Sequence, residues 1–233
     1  MRARTPYTPD QVIPGGLADA VDELPYWFVI GGQAVRCLCP YRPTHDVDFG
    51  VRRPRDLREL LAQLARSGTT EIVERAPDTV HLRWNGIDVS VFVLERFAPH
   101  VTERRLTVTG ILATKLHAIL DRGTRRDFFD LYVVLQRERL GAVECLRALR
   151  EVYRQDVNEG LLLRALTYFE DAEREPKLPG EGARDWKLVT AYFMATAGAL
   201  VVPPTAALRI QARVVDVRER TKPARRPRAT RRR

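Results

Sequence analysis

The chain has 233 residues, of which 45% are hydrophobic, and it can bury the core of one large or two small domains. Its formal net charge is +9, but residues 218–233 alone contain eight Arg, one Lys and one Glu, so the remainder is close to neutral. The three cysteines (Cys37, Cys39 and Cys145) indicate neither a disulfide framework nor a zinc site, and residues 1–14 lack the apolar run of a secretory signal, so the expected compartment is the cytoplasm.

The first predicted strand leads directly into a pair of glycines. A helix is predicted from Leu17 to Glu23 and a buried strand from Tyr26 to Ile30; Gly31 and Gly32 follow, and a second helix is predicted from Gln33 to Leu38. Glycine lets the backbone approach a ligand closely, and the start of a helix directs free amide groups at whatever lies before it. The turn would therefore suit a phosphate chain, although two glycines after a strand are more often an ordinary turn.

Two acidic residues alternate in the next predicted strand, which runs from Asp46 to Val51. Because side chains alternate between the faces of a strand, Asp46 and Asp48 share one face and the apolar residues share the other. Adjacent carboxylates repel each other, so a divalent cation between them is favoured, and oxygen ligands indicate Mg²⁺ or Mn²⁺ rather than zinc. An Asp-x-Asp alone is common on surface strands, but its spacing from the glycine pair favours a site for a nucleotide and its metal.

An amphipathic helix is predicted from Arg55 to Arg66, and we expect it to cover one face of the sheet. A hairpin is predicted from Thr79 to Val93, since two alternating runs flank an Asn-Gly pair. Its second strand places Asp88 on one face with Ser90 and Phe92. We expect Asp88 to act as a third acid beside the upstream pair, and the alternative is an exposed aspartate on an edge strand.

From residue 109 onward the hydrophobic pattern has the period of a helix, which predicts a helical second half. A connector rich in Pro and Gly occupies residues 176–183. The most apolar run, Leu188 to Val202, is shorter than the about 18 to 20 residues that span a bilayer, so we expect a core helix there. The predicted helices run from Ile111 to Asp121, Arg125 to Arg137, Ala142 to Tyr153, Glu159 to Glu173 and Trp186 to Val201.

Charged residues on two of these helices are candidates for nucleotide binding. Lys115 lies at the margin of an apolar helix face, from which it can reach a triphosphate; the alternative is an ordinary salt-bridged lysine. Asp127 and Asp130 share a helix face, so one can orient Lys115 or an arginine while the other caps or pairs locally. The four histidines have no zinc-like spacing and are expected to be structural or surface residues. The expected phosphate or RNA contacts are Arg122, Arg125 and Arg126.

The segment from the glycine pair to Asp48 resembles the signature of nucleotidyltransferases related to DNA polymerase β, in which a small-residue turn is followed after a short interval by Asp-x-Asp. The stretch from Leu112 to Arg122, followed by Arg125 to Tyr132, is similar to the helical Lys and Arg-Asp-x-x-Asp motifs of AbiEii/AbiGii-type toxins of type IV toxin–antitoxin systems. These motifs span roughly residues 26 to 135. One departure is Gln33, where many members place a serine-containing turn.

This resemblance implies a fold of the α/β (α+β) class, in which a polymerase-β-like nucleotidyltransferase domain with a small mixed sheet flanked by helices precedes a helical part. It also implies a Mg²⁺- or Mn²⁺-dependent enzyme that moves a nucleoside monophosphate from a nucleoside triphosphate to an acceptor. The implied metal ligands are Asp46, Asp48 and Asp88, the last as third ligand or general base. The implied catalytic set adds Lys115 and Asp127, and the implied nucleotide-binding residues are Gly31, Gly32, Lys115, Arg126 and Asp130.

For related toxins the implied acceptor is RNA, particularly the 3′ end of tRNA, and an antitoxin is an expected partner. Two alternatives remain open. One is an enzyme of the same fold that modifies a small molecule such as an aminoglycoside. The other is a non-catalytic protein of this fold that binds nucleic acid.

Three regions are predicted along the chain. They are an α/β nucleotidyltransferase domain over residues 1–108, a helical domain over residues 109–217 and a disordered basic tail over residues 218–233. The tail would attract phosphate backbones without sequence specificity. The alternative is a solubilising end that reflects overall composition, since the chain contains 35 Arg and only four Lys.

Overall fold

The computed structural model describes residues 6–154 and 158–201. The predicted basic tail, residues 218–233, lies outside the described residues, as does the end of the predicted helical domain. The strands are β1 (Phe28–Val29), β2 (Val47–Val51), β3 (Thr70–Arg75), β4 (Thr79–Trp84), β5 (Ile87–Val93), β6 (Val101–Thr102) and β7 (Arg105–Leu106). The helices are α1 (Gly15–Val21), α2 (Gly31–Leu38), α3 (Pro54–Ser67), α4 (Val108–Asp121), α5 (Arg125–Glu138), α6 (Ala142–Tyr153), α7 (Glu159–Thr167), α8 (Glu170–Arg174) and α9 (Asp185–Val201).

The strands form one mixed sheet in the order β3-β4-β5-β2-β1-β7-β6. Strand β2 runs parallel to β5 and antiparallel to β1, and β1 is parallel to β7. Helices flank the sheet, so the predicted α/β class with a small mixed sheet is confirmed. The central position of β2 places Asp48 between neighbouring strands on both sides, and Asp46 lies just before the strand begins.

The predicted hairpin is present as β4 and β5. Asn85 and Gly86 form its two-residue turn with φ of 47° and 83°, the left-handed geometry that favours Asn-Gly. Strand β3, which was not predicted, pairs antiparallel with β4 at the edge of the sheet. Its sequence has no alternating apolar pattern, and its apolar residues Ile72 and Val73 are both exposed. The strand is held by backbone pairing with β4.

Two apolar cores lie on opposite sides of the sheet. The first packs α1 and α3 against the inner residues of β2, β4 and β5. The second joins residues of β1 and α2, such as Phe28 and Val35, to apolar faces of α4–α9, including Leu116 and Phe128. The predicted division near residue 109 falls at the start of α4, and this second core crosses it. Only glycine fits at position 50, because a Cβ there would lie 2.3 Å from Cζ of Phe28.

The helical half follows the predicted spans with one exception. The helix predicted from Glu159 to Glu173 is divided into α7 and α8, because Tyr168 takes an extended conformation. The break lets the Phe169 ring pack at 5.2 Å from Phe128 and 6.0 Å from Trp186. Helix α9 contains residues 188–201 of the predicted apolar run, and Val202 lies outside the described residues. Across the described ranges, no helix has the length and apolarity needed to cross a membrane.

Candidate active site

A cavity of about 320 Å³ opens where the glycine turn and β2 face α4 and α5. It contains both members of the predicted acidic pair and several cations that can balance anionic phosphate. The charged residues that line it are Asp46, Asp48, Arg42, Lys115, Arg122 and Arg126. This placement brings together groups that lie up to 84 positions apart in the sequence, from Arg42 to Arg126.

The glycine turn touches the second acid directly. Gly31 begins α2 with φ of +58°, and a Cβ there would lie 2.2 Å from Oδ2 of Asp48. At Gly32 a Cβ would lie 3.0 Å from Oγ1 of Thr44, which is also close. The turn therefore requires glycine at position 31 for both backbone geometry and space, and it is tightly packed at position 32. The start of α2 is open to the cavity.

The two acids lie in different electrostatic settings. Burial and the charge of Asp46 raise the pKa of Asp48, and Lys115, Arg126 and Arg122 oppose that rise. The Asp46 side chain is 42% exposed, and its Oδ2 lies 3.5 Å from Nη1 of Arg126. The pair thus concentrates negative charge at the cavity wall, which favours a cation there.

The side chain of Gln33 connects α2 to the backbone at Asp46. This side chain is buried, and its Nε2 donates a hydrogen bond to the backbone carbonyl of Asp46 at 3.1 Å. Nη1 of Arg36 donates to the side-chain Oε1 of Gln33 at 3.0 Å and to the backbone carbonyl of Val12 at 2.6 Å. Gln33 therefore ties the glycine-initiated helix to the entry of β2.

Lys115 lies in a buried network with both aspartates of the second motif. Its Nζ is 2.6 Å from Oδ2 of Asp130 and 3.5 Å from Oδ1 of Asp127. Asp127 also accepts hydrogen bonds from Arg122 and Thr124. Burial raises the pKa of Asp127, but these hydrogen bonds and the charge of Lys115 outweigh it and lower that pKa to about 2. The sequence predicts that one aspartate orients Lys115 or an arginine and the other caps or pairs locally, whereas here both contact Lys115.

Arg42 is a cavity residue that the sequence reading missed. Its Nε and Nη2 donate to the two carboxylate oxygens of Asp130 at 3.1 and 2.9 Å, and the Tyr41 hydroxyl donates to the same group at 2.6 Å. Bidentate pairing fixes the guanidinium plane beside Thr44, to which Nη1 donates at 3.0 Å. The sequence signal that could have identified Arg42 is its position in the loop, four residues before Asp46.

Asp88 is not brought into the acidic cluster, which corrects the expectation of three converging carboxylates. Its side chain is 70% exposed, its Oδ1 lies 3.3 Å from Nε of Arg83, and it does not line the cavity. In the part of the chain that the structure describes, no three His, Cys, Asp or Glu side chains are grouped to hold a metal. Asp88 lies on the predicted face of β5, two residues before Ser90. Ser90 lines the cavity, and Asp88 does not.

Arg125 also differs from its predicted role as a phosphate or RNA contact. Its side chain is buried, and its Nη2 lies 2.5 Å from Oε1 of Glu181. The guanidinium carbon stacks 4.3 Å from the ring centre of Trp186. Arg125 therefore holds the 176–183 connector against α5, while Arg122 and Arg126 remain at the cavity.

The donor set at the cavity suits a hard divalent cation. Asp46 and Asp48 offer carboxylate oxygens, and the wall carries no thiol that would favour a softer metal. Mg²⁺ is commonly held by one or two carboxylates together with substrate phosphates, so two acids beside a phosphate-sized cavity fit it. The arrangement can therefore receive a metal-bound nucleoside triphosphate.

Comparison with known proteins gives concordant matches. A family model described as "Nucleotidyl transferase AbiEii toxin, Type IV TA system" matches residues 17–199. An uncharacterized protein of Aquifex aeolicus (strain VF5) is 24% identical over 158 residues, which are 64% of this chain and 76% of that protein.

Among solved structures, two have a similar fold over most of the described chain. One is MenT4, a nucleotidyltransferase toxin from Mycobacterium tuberculosis H37Rv, with a TM-score of 0.54, 15% identity and coverage of 78% of this chain and 80% of that chain. The other is JHP933 from Helicobacter pylori, with a TM-score of 0.51, 15% identity and coverage of 88% and 94%. At these identities the two structures show a shared fold.

Proposed function

Because the chain belongs to the AbiEii family of nucleotidyltransferase toxins of type IV toxin–antitoxin systems, we propose that it transfers a nucleoside monophosphate from a nucleoside triphosphate to RNA, with Mg²⁺ as cofactor. The observation that carries this proposal is the single cavity that holds the acidic pair, the glycine turn and four cations. Enzymes of this chemistry act mainly by positioning and by stabilising charge, and these residue types supply both.

Each group has a defined task in this proposal. Asp46 and Asp48 hold the metal, which when bound neutralises charge on the phosphates. Lys115, Arg122 and Arg126 are directed at the triphosphate. Since Lys115 is only 5% exposed and is paired with both aspartates, it is held in one place before the nucleotide arrives.

Asp130 acts as a positioning residue for two cations at once. It accepts hydrogen bonds from Lys115 on α4 and from Arg42 in the loop before β2. The charges of Lys115 and Arg42 lower its pKa against the effect of burial, so it stays ionised. It thereby holds one cation from a helix and one from a loop at the wall of the same cavity.

The proposed acceptor is RNA, and more specifically the 3′ end of tRNA. The charge of the chain and its family support this choice. The segment 218–233 carries a net charge of +8, which favours a polyanionic partner. Toxin–antitoxin membership supports an antitoxin as a second partner. Toxicity on expression that a neighbouring gene relieves would support that role.

The test incubates the purified full chain with each labelled nucleoside triphosphate, Mg²⁺ and total RNA. Labelled RNA is expected from the wild type, and Asp48→Asn is expected to abolish the label because it removes a metal-binding charge. Asp78→Asn, an exposed loop aspartate outside the cavity, is the matched control and should retain activity. Label in an added aminoglycoside instead of RNA would contradict the acceptor, and equal label from Asp48→Asn and wild type would contradict the site.

A further inference from the structure

Three residues form a row across the sheet at the floor of the cavity. Asp48 on β2 pairs in register with Ser90 on the parallel strand β5, and Ser90 pairs with His81 on the antiparallel strand β4. Paired residues of neighbouring strands point to the same face, so all three side chains face the cavity, and all three line it. At about 4.8 Å between strands, His81 lies two strand spacings from Asp48.

The middle position of this row lies on β5, next to Asp48. A third carboxylate could stand there, but the residue is Ser90. Asp88, the acid nearest along β5, is turned to Arg83 and to solvent. A hydroxyl at position 90 has no charge with which to accept a proton from an attacking alcohol. The cavity therefore needs another side chain for that task, and the row ends in an imidazole.

The imidazole of His81 is held in a defined orientation. Its Nδ1 lies 2.9 Å from Oγ of Ser90, and its ring packs edge-on to Phe92 with centres 5.8 Å apart. Within the described residues, Nε2 has no hydrogen-bond partner. When Nδ1–H donates to Ser90, the lone pair of Nε2 is left to accept a proton, which is how a second group commonly selects one tautomer of histidine.

We propose that His81, oriented by Ser90, accepts the proton of the acceptor hydroxyl during nucleotidyl transfer; this rests on the function proposed above. The acceptor oxygen forms a bond to the α-phosphorus as the bond from that phosphorus to pyrophosphate breaks. The proton of the hydroxyl passes to Nε2 and then to water, and pyrophosphate leaves. His81 is the catalytic residue in this step, and Ser90 is a positioning residue.

The charges that face His81 come from every neighbouring element. Glu74 lies opposite it on β3, and Asp48 and Asp46 lie beyond Ser90 on the side of β2. The cations of α4, α5 and the loop before β2 line the far wall. A conservative glutamine at position 81 keeps the size of the side chain near these charges while removing the proton-accepting nitrogen.

The experiment compares single-turnover transfer by wild type, His81→Gln, His81→Ala and Ser90→Ala. His81→Gln is expected to slow transfer by about 10²-fold, a typical contribution of acid–base catalysis, with unchanged affinity for a non-hydrolysable triphosphate and Mg²⁺. Added imidazole should restore part of the rate of His81→Ala and none of that of His81→Gln. Ser90→Ala should slow transfer less than His81→Gln does.

Two controls separate this inference from its alternatives. His117→Gln changes an exposed histidine that stacks on Tyr153 outside the cavity, and it should leave the rate unchanged. Asp88→Asn should also leave the rate unchanged; if instead it abolishes transfer, Asp88 is the proton acceptor and the inference about His81 is overturned. It is also overturned if His81→Gln weakens triphosphate binding and leaves the single-turnover rate at saturation intact. If the wild type transfers nucleotide and His81→Gln does so at the full rate, this inference alone is refuted. If the wild type is inactive, the proposed function is refuted.

Discussion

Gly31 couples the glycine turn to the acidic pair through direct contact. In Gly31→Ala the new Cβ would overlap Oδ2 of Asp48, and the left-handed backbone would be strained, so Asp48 must move. A displacement of about 1 Å at a catalytic group can reduce the rate by about 10²-fold. The measurement is the initial rate of nucleotidyl transfer together with the melting temperature.

Gly180→Ala is the matched control for that prediction. Gly180 has φ of +82° but open space around the position of a Cβ, and it lies in the connector away from the cavity. Its replacement should cost a similar backbone strain and leave the rate unchanged. Equal losses of activity in the two variants would show that global stability, and not the contact with Asp48, is responsible.

Asp127 is expected to contribute to stability in a pH-dependent way. Its folded-state pKa of about 2 is depressed from 3.8, so its contribution is complete above about pH 4 and is lost as pH falls through 2. The shift corresponds to about 2 kcal/mol. Asp127→Asn should therefore lower the free energy of unfolding at pH 7. Near pH 2 the free energies of unfolding of the variant and the wild type should be closer to each other, as measured by urea unfolding.

The comparison for Asp127→Asn is Asp121→Asn, an exposed aspartate at the end of α4. It should change the unfolding free energy by less than about 0.5 kcal/mol at either pH, as surface substitutions usually do. A pH-independent loss in Asp127→Asn would mean that the carboxyl acts through packing and not through its charge.

At the level of helices and strands, Gln33 is the link between α2 and the start of β2. Gln33→Ala leaves the Asp46 carbonyl and the Arg36 guanidinium short of a partner, which should cost about 1–3 kcal/mol. Asp46 should also become less well positioned, so the affinity for Mg²⁺ with a non-hydrolysable triphosphate should fall. Calorimetric titration and thermal unfolding measure the two effects. Gln63→Ala on α3, where the side chain pairs only with a neighbouring residue, should show neither.

The course of β3 and the division of α7 from α8 show how neighbouring elements override local sequence. Strand β3 has no alternating apolar face, yet it forms because β4 offers an unpaired edge. The α7–α8 break places Phe169 in an aromatic cluster with Phe128 and Trp186. Periodicity within one segment contains neither kind of information.

For the molecule as a whole, the continuous core between sheet and helices predicts cooperative unfolding. Leu116 is fully buried in the core that joins α2 and β1 to the helical half. Leu116→Ala should cost about 2–5 kcal/mol and should shift unfolding as a single transition seen alike by tryptophan fluorescence and circular dichroism. Two separated transitions would instead favour residues 1–108 and 109–217 as independently folding domains.

The basic segment is tested by comparing the full chain with a chain that ends at residue 217. If the segment binds RNA phosphates, its removal should weaken RNA binding and flatten the dependence of affinity on salt, because fewer counterions are released. Transfer to a short acceptor should change less than binding to long RNA. Identical salt dependence in both chains would favour the solubilising alternative.

The sequence by itself determined the local elements and most of the charged site. Strand–glycine–helix followed by Asp-x-Asp, and the spacing of Lys115, Asp127 and Asp130, depend on short-range periodicity and were predictable. The acidic pair and Lys115 line the cavity, and Lys115 is buried against Asp127 and Asp130. The family is also readable at this level, because its motifs are contiguous.

Only the tertiary structure decided which distant residues meet. The register of β2, β5 and β4 places Ser90 beside Asp48 and His81 beyond Ser90, and it pairs Asp88 with Arg83. The loop before β2 brings Arg42 to Asp130. Alternation along one strand predicts which face a side chain takes, whereas its level along that face depends on pairing with strands elsewhere in the chain. That is why Asp88 and Ser90 share the predicted face of β5, whereas only Ser90 lines the cavity.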